Sequence, residues 1–178
     1  MSAKVFNATT NNNWSPDANW SGGDGLKPSA TDTVTINPLV TSLIIDANAT
    51  CDSFNATGTA GITISGGLHF NSNGSFTLDD KVTWTQSGYV TIQGPGTVTT
   101  AGVSLGSIGL MRIIAGGTVT LGGALNVGTK GIVVYYNGAA TTFNTAGYRV
   151  DCGQLGDNGQ AGAITLTFGN STINCNNY

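Results

Sequence analysis

Three interleaved series of apolar residues, each recurring about every 21 residues, constrain this chain more than any other feature of it. The first series is Ile62/Ile64, Val82/Trp84, Val103/Leu105, Leu125/Val127, Val150/Cys152 and Ile173/Cys175. The second is Phe76/Leu78, Val98, Val119/Leu121, Phe143 and Ile164/Leu166, and the third Leu68/Phe70, Val90/Ile92, Met111/Ile113, Ile132/Val134 and Leu155. Within a pair the spacing is i, i+2, so both side chains leave the same face of a strand. Gly or Asn turns follow each run, as they follow half-buried strands. Three series with one slowly lengthening period predict an all-β fold, a three-sided parallel β-helix with coils of roughly 21–23 residues. Each coil places one strand on each side, and equivalent side chains stack ~4.8 Å apart. An antiparallel β-sandwich or jelly roll is the alternative, because it too strings together short strands at roughly 8–12-residue intervals. Tyr136-Asn137-Gly138-Ala139 and Ser72-Asn73-Gly74-Ser75 would be its hairpin turns.

Composition agrees with strands. The 178 residues include 27 Gly and many Thr, Asn and Ser, and all nine acidic residues are Asp. Such a chain lacks the Glu, Lys, Ala and Leu mixture that fills helices. Six Lys and Arg against nine acids, net charge −3, give no basic footprint, so no nucleic-acid partner is expected. The longest apolar runs are too short to cross a membrane as a helix, and the opening MSAKVFNATTNNNW lacks the apolar core of a secretory signal.

Residues 1–31 differ from the rest, and residues 32–178 are expected to form a single solenoid domain. The opening stretch holds Asn11-Asn12-Asn13-Trp14, Pro16-Asp17, Asn19-Trp20, Gly22-Gly23 and Pro28, and Thr33-Val34-Thr35-Ile36 follows it as a strand. A stack of coils has an apolar end that must be covered, so this segment reads as a cap and docking segment, with Trp14 and Trp20 as interface residues. Two Trp six residues apart, then Gly-Gly, a Pro and Asp32-Thr-Val-Thr-Ile36, resemble the opening of bacterial and phage β-helix proteins. Phe143-Asn144-Thr145-Ala146-Gly147-Tyr148 and Thr165 to Ile173 are similar to segments of phage β-solenoid virion proteins.

Residues suited to chemistry are few. Asp79-Asp80 is the only tandem of carboxylates, but neighbours on a strand face opposite ways and a solvated turn is expected there. Asp46 and Asp52 offer too few oxygens for calcium, and the lone His69 cannot build a zinc site. Cys152 and Cys175 fall at equivalent positions of successive coils and read as reduced, apolar core residues, with a disulfide left open. No catalytic residue, metal or cofactor is assigned.

One outward pattern stands out. Thr97 and Thr99, Thr118 and Thr120, and Thr165 and Thr167 recur at about one rung, as in the Thr arrays of β-helical ice-binding proteins, although Thr is also the common polar residue of exposed strands. The resemblance to phage solenoids implies a non-enzymatic virion structural protein, a capsid decoration or cement protein, with a tail or fibre component as the close variant. Its partners would be the major capsid protein or other virion subunits, its location the virion, and its own state a homo-oligomer, a trimer. An ice-binding protein, and a glycan-binding module using Tyr135 or Tyr136, are the alternatives.

Overall fold

The computed structural model describes residues 2–177. It is a β-solenoid of about six turns with stacked coils of roughly 22 residues. The chain opens with β1 (Ala3–Phe6), a 3-10 turn at Asp17–Asn19 and β2 (Trp20–Ser21). The first full coil is β3 (Thr33–Ile36), β4 (Ser42–Ile45) and β5 (Ala49–Cys51), and the second β6 (Ser53–Ala56), β7 (Ile62–Gly66) and β8 (Phe70–Ser72). The third is β9 (Phe76–Leu78), β10 (Val82–Trp84) and β11 (Val90–Ile92). The fourth has only two strands, β12 (Gly96–Thr99) and β13 (Met111–Ile113). The fifth is β14 (Thr118–Leu121), β15 (Leu125–Asn126) and β16 (Gly131–Val134). The sixth is β17 (Thr141–Asn144) with β18 (Val150–Asp157), and β19 (Ile164–Thr167) and β20 (Ile173–Asn177) close the stack.

Three sides result. The first is one nine-stranded sheet, from β19 through β17, β14, β12, β9, β6 and β3 to β1 and β2. Its strands run parallel except where β2 turns back along β1. The second side starts as the three-stranded sheet β4-β7-β10, and the third is an eight-stranded sheet that β18 joins to the lower second side by running across the corner. Alternation of buried and exposed residues along nearly every strand explains the form, since each strand has one face to bury and only the interior to bury it in. Among the described residues no hairpin-connected sandwich is present.

The registers match the predicted series with one local shift. Val82 lies opposite Ile62, Val150 opposite Leu125, and Cys152 opposite Cys175. On the third side Phe70 pairs with Val90 and Ser72 with Ile92. Leu68, expected inside, is therefore 42 % exposed, and Ser72 takes the second buried place because its hydroxyl reaches the carbonyls of Asp52 and Ser75. The fifth coil is longer than the others, with Leu125 opposite Val150, because the turn around Asn137-Gly138 lengthens it.

Residues 2–31 belong to the same core as the coils. Lys4, Phe6, Trp14 and Trp20 are buried, β1 continues the nine-stranded sheet beside β3, and the Lys4 ammonium pairs with Asp24. Asp32 accepts hydrogen bonds from the main chain and hydroxyls of Ser2 and Ser29, which fasten the chain's start and the cap loop to β3. Those donors hold the Asp32 carboxyl well below the usual carboxylate range. The aromatic core is confined to this half: Phe6, Trp20, Trp14, Phe70, Phe54, Phe76 and Trp84 form one chain of ring contacts. Below it the core is aliphatic apart from Phe143.

Candidate functional site

The fourth coil breaks the second side. After β12, Ala101 and Gly102 adopt positive φ (46° and 85°), a tight turn that only a small residue and a glycine enter cheaply. The following segment, Val103 to Leu105, carries two buried side chains as its series requires. It is drawn toward the fifth coil, however: Thr100 donates its hydroxyl to the Ala124 carbonyl, Leu105 its N–H to Asn126, and Ser104 bridges Asn126. β10 is left pairing only with β7. Between them opens a cleft of about 390 Å³ lined by Val82, Thr83, Trp84, Val103, Ser104, Gly106 and Ser107.

Main-chain direction defines the walls of this cleft. Lys81 accepts a hydrogen bond from Ile62 and Thr85 donates one to Ile64, so alternate groups of β10 face β7. By the alternation of a parallel ladder, the N–H and C=O of Trp84 and the C=O of Val82 face the cleft. Across it, Leu105 bonds to Asn126, so the main chain of Ser104 faces away from the fifth coil, and the Ser104 hydroxyl accepts the N–H of Gly106 in the turn that follows. Among the described residues no main-chain hydrogen bond joins the two walls. The indole Nε1 of Trp84 is also buried without a partner, as is Gln86 Oε1 two residues on.

The Thr residues lie on the outer face of the nine-stranded sheet, but in a different order from the one expected. Thr77 is opposite Thr99, whereas Thr97 lies opposite Thr120, so β14 is displaced by two residues relative to a strict stacking of the T-x-T pairs. Thr118 is opposite Thr142, which is opposite Thr165, and Thr120, Asn144 and Thr167 form the neighbouring column. Gly122 fills the place beside Thr99 where another Thr would continue the row: a Cβ there would lie 2.2 Å from Thr99 Oγ1. Ser53 and Asn55 occupy the equivalent outward positions nearer the cap.

A planar column runs down the third side. His69 stacks on Tyr89 with centroids 4.7 Å apart, and the Arg112 guanidinium lies 4.0 Å from the centroid of the Tyr89 ring and 5.7 Å from that of Tyr135. Arg112 makes no ion pair among the described residues. The sequence did not single out Tyr89 or Arg112; they meet because Tyr89 follows His69 at one rung and Arg112 is a further rung on, two residues offset. Tyr136 is held beside Asn158, whose side chain accepts its main-chain N–H.

Trp14 and Trp20, expected at an interface, are 1 % and 4 % exposed within the chain itself. The large apolar side chains exposed at that end are Leu26 and Leu39. Asp79 and Asp80 are at a turn as expected, and Asp79 accepts hydrogen bonds from the main chain of Gly58 and Lys81. No group of three metal-ligating side chains is found among the described residues. Cys152 and Cys175 form a disulfide between β18 and β20, Cα atoms 5.0 Å apart, in place of the reduced pair expected; Cys51 is a buried free thiol. No family, curated protein or solved structure matches the chain.

Proposed function

We propose that this protein is a non-catalytic structural module of a virion, a capsid decoration or cement protein, with a tail or fibre component as the close variant. The observation that carries this reading is the interrupted second side, where β10 of a sparsely charged solenoid pairs on one edge only, since an unpaired strand edge is a place where a neighbour can dock. The resemblance of its opening and of its last third to phage solenoids supports the same reading. Docking of this kind adds buried area between subunits without chemistry. Its partners are virion subunits, and a trimer at a symmetric site of the shell is the proposed assembly. The test is direct: purified protein is mixed with native and with stripped particles and followed by sedimentation and negative-stain imaging. Saturable binding that raises particle stability supports the reading, and absence of binding to any particle ends it.

Ice binding rests on the Thr face alone. The two-residue displacement at β14 and the Gly122 gap break the lattice that such a face requires. Thermal hysteresis that disappears in Thr118→Tyr while the fold persists would establish that reading in place of ours.

A further inference from the structure

We infer that Arg112, on the outer face of the third side, is the anchor for a carboxylate of a partner protein, an Asp or Glu side chain gripped by the outer end of its guanidinium. This rests on the docking role proposed above and names the chemistry of one contact. Three observations carry it.

The first is an unused cation. Arg112 is half-buried, forms no ion pair among the described residues, and its Nε is buried without a hydrogen-bond partner. The group is nonetheless fixed, 4.0 Å from the centroid of Tyr89 and 5.7 Å from that of Tyr135. An immobilised, unmatched guanidinium has already lost part of its hydration and freedom, the two costs that a carboxylate contact would otherwise meet on binding. The second is the direction of the polar groups. His69, Tyr89 and Arg112 come from three successive coils, so His69 and Arg112 cover opposite faces of the Tyr89 ring and leave none for a sugar to stack on. The Tyr89 main-chain N–H donates to His69 Nδ1 at 3.3 Å, which places the proton of the neutral imidazole on Nε2. The column thus carries N–H donors at both ends, and a carboxylate, which only accepts, is their complement. The third is the setting. Thr91 and Val133 flank Arg112 in the sheet, Asn71 and Gly156 lie beyond them, and none is charged. One cation among Tyr rings on such a face has the make-up of the centre of a protein contact, where Arg and Tyr are enriched and other charges are few.

The carboxylate comes from a different protein. Eight of the nine Asp of this chain already accept a hydrogen bond from within it, and among the described residues only Asp80 does not.

NMR of the arginine side chains in the full chain tests this, with N-acetyl-glutamate amide, at up to about 100 mM and constant ionic strength, as the probe. The Arg112 signal should shift saturably, that of Arg149, already paired with Asp151, should not, and N-acetyl-glutamine amide should move neither. Arg112→Gln should abolish the shift and lower particle binding at least tenfold with little change in melting temperature. Arg112→Lys keeps the stem and the charge but loses the planar fork, should weaken both at least fivefold, and decides the matter if Arg112→Gln folds poorly. No saturable shift, or an equal shift with the glutamine probe, overturns the inference. So does tighter binding of sulfate or of glucuronate than of the glutamate probe, the latter by assigning the site to an acidic sugar. A shift that grows with protein concentration and vanishes in Asp80→Asn also overturns it, by assigning the site to a second copy. Particle binding undiminished in both Arg112 variants would remove the anchor and leave the virion reading standing; glutamate binding at Arg112 without binding to any particle would do the reverse.

Discussion

Trp20 donates its indole N–H to the main-chain carbonyl of Trp14 at 2.8 Å, and the two rings meet edge to face with centroids 4.7 Å apart. Each ring closes the top of the stack only because the other holds it. Trp20→Phe keeps most of the apolar area but strands a buried carbonyl, and the expected cost is about 1–3 kcal/mol. A urea midpoint lowered without change in slope checks it. Deleting residues 1–31 is a far larger lesion, since it removes β1, β2 and several core side chains.

Leu125 is 1 % exposed on β15, directly below the break. Leu125→Asp buries an unpaired carboxylate and should cost several kcal/mol, enough to prevent folding. Thr97→Asp, on the exposed face, should stay within about 0.5 kcal/mol. Circular dichroism melts of the two variants separate interior from exterior; equal melting temperatures would contradict the assigned register.

The Asp32 clamp gives acid sensitivity with a defined sign. Its folded carboxyl is shifted down by the Ser2 and Ser29 donors, so its contribution is complete above the unfolded value near 3.9 and is lost as pH falls below it. Near-ultraviolet dichroism of the Trp14/Trp20 pair should therefore weaken below about pH 4. Asp32→Asn should cost about 1–3 kcal/mol at neutral pH and flatten part of that acid dependence.

Thiol chemistry should divide the three cysteines. Cys51 is buried, and burial pushes its thiol up to about 12, so it should not react with a disulfide reagent in the folded protein. Denatured, unreduced protein should show one reactive thiol per chain, and reduced protein three. Opening the Cys152–Cys175 link, which spans 23 residues, should cost about 3 kcal/mol on the chain-entropy account. The loss should fall on β18 and β20, visible as faster amide exchange there.

The adjacent carboxylates are unequal. Asp79 accepts main-chain hydrogen bonds at 2.7 and 3.0 Å, from Gly58 and Lys81, whereas Asp80 is exposed. Asp79→Asn should cost about 1 kcal/mol and Asp80→Asn nothing measurable, by thermal melt.

The solenoid was legible because burial in a parallel coil repeats at a fixed interval, and Ile62, Val82 and Leu125 carry that interval in plain apolar letters. Leu68 misled because apolar character was counted without its partner: Ser72 buries a hydroxyl that the neighbouring carbonyls satisfy. The cleft was hidden for a related reason. Val103 and Leu105 keep the alternation of a strand, and whether that strand bonds upward or downward is decided by Thr100 and Asn126, which no periodicity encodes. Ala101-Gly102, with Gly106 and Gly109 after it, was the available signal of a departure from regular coiling. The Tyr89–Arg112 contact depends on a diagonal between rungs and so escaped a column-by-column reading.

The confinement of the ring contacts to the first half of the stack makes the molecule optically lopsided. All three tryptophans precede residue 85, and the core beneath them is aliphatic save for Phe143. Tryptophan fluorescence therefore watches only the upper coils. In a solenoid, where each coil is held chiefly by its neighbours, the lower turns can detach while the emission stays native, so a light-detected transition and an exchange-detected one would describe two different events in one chain.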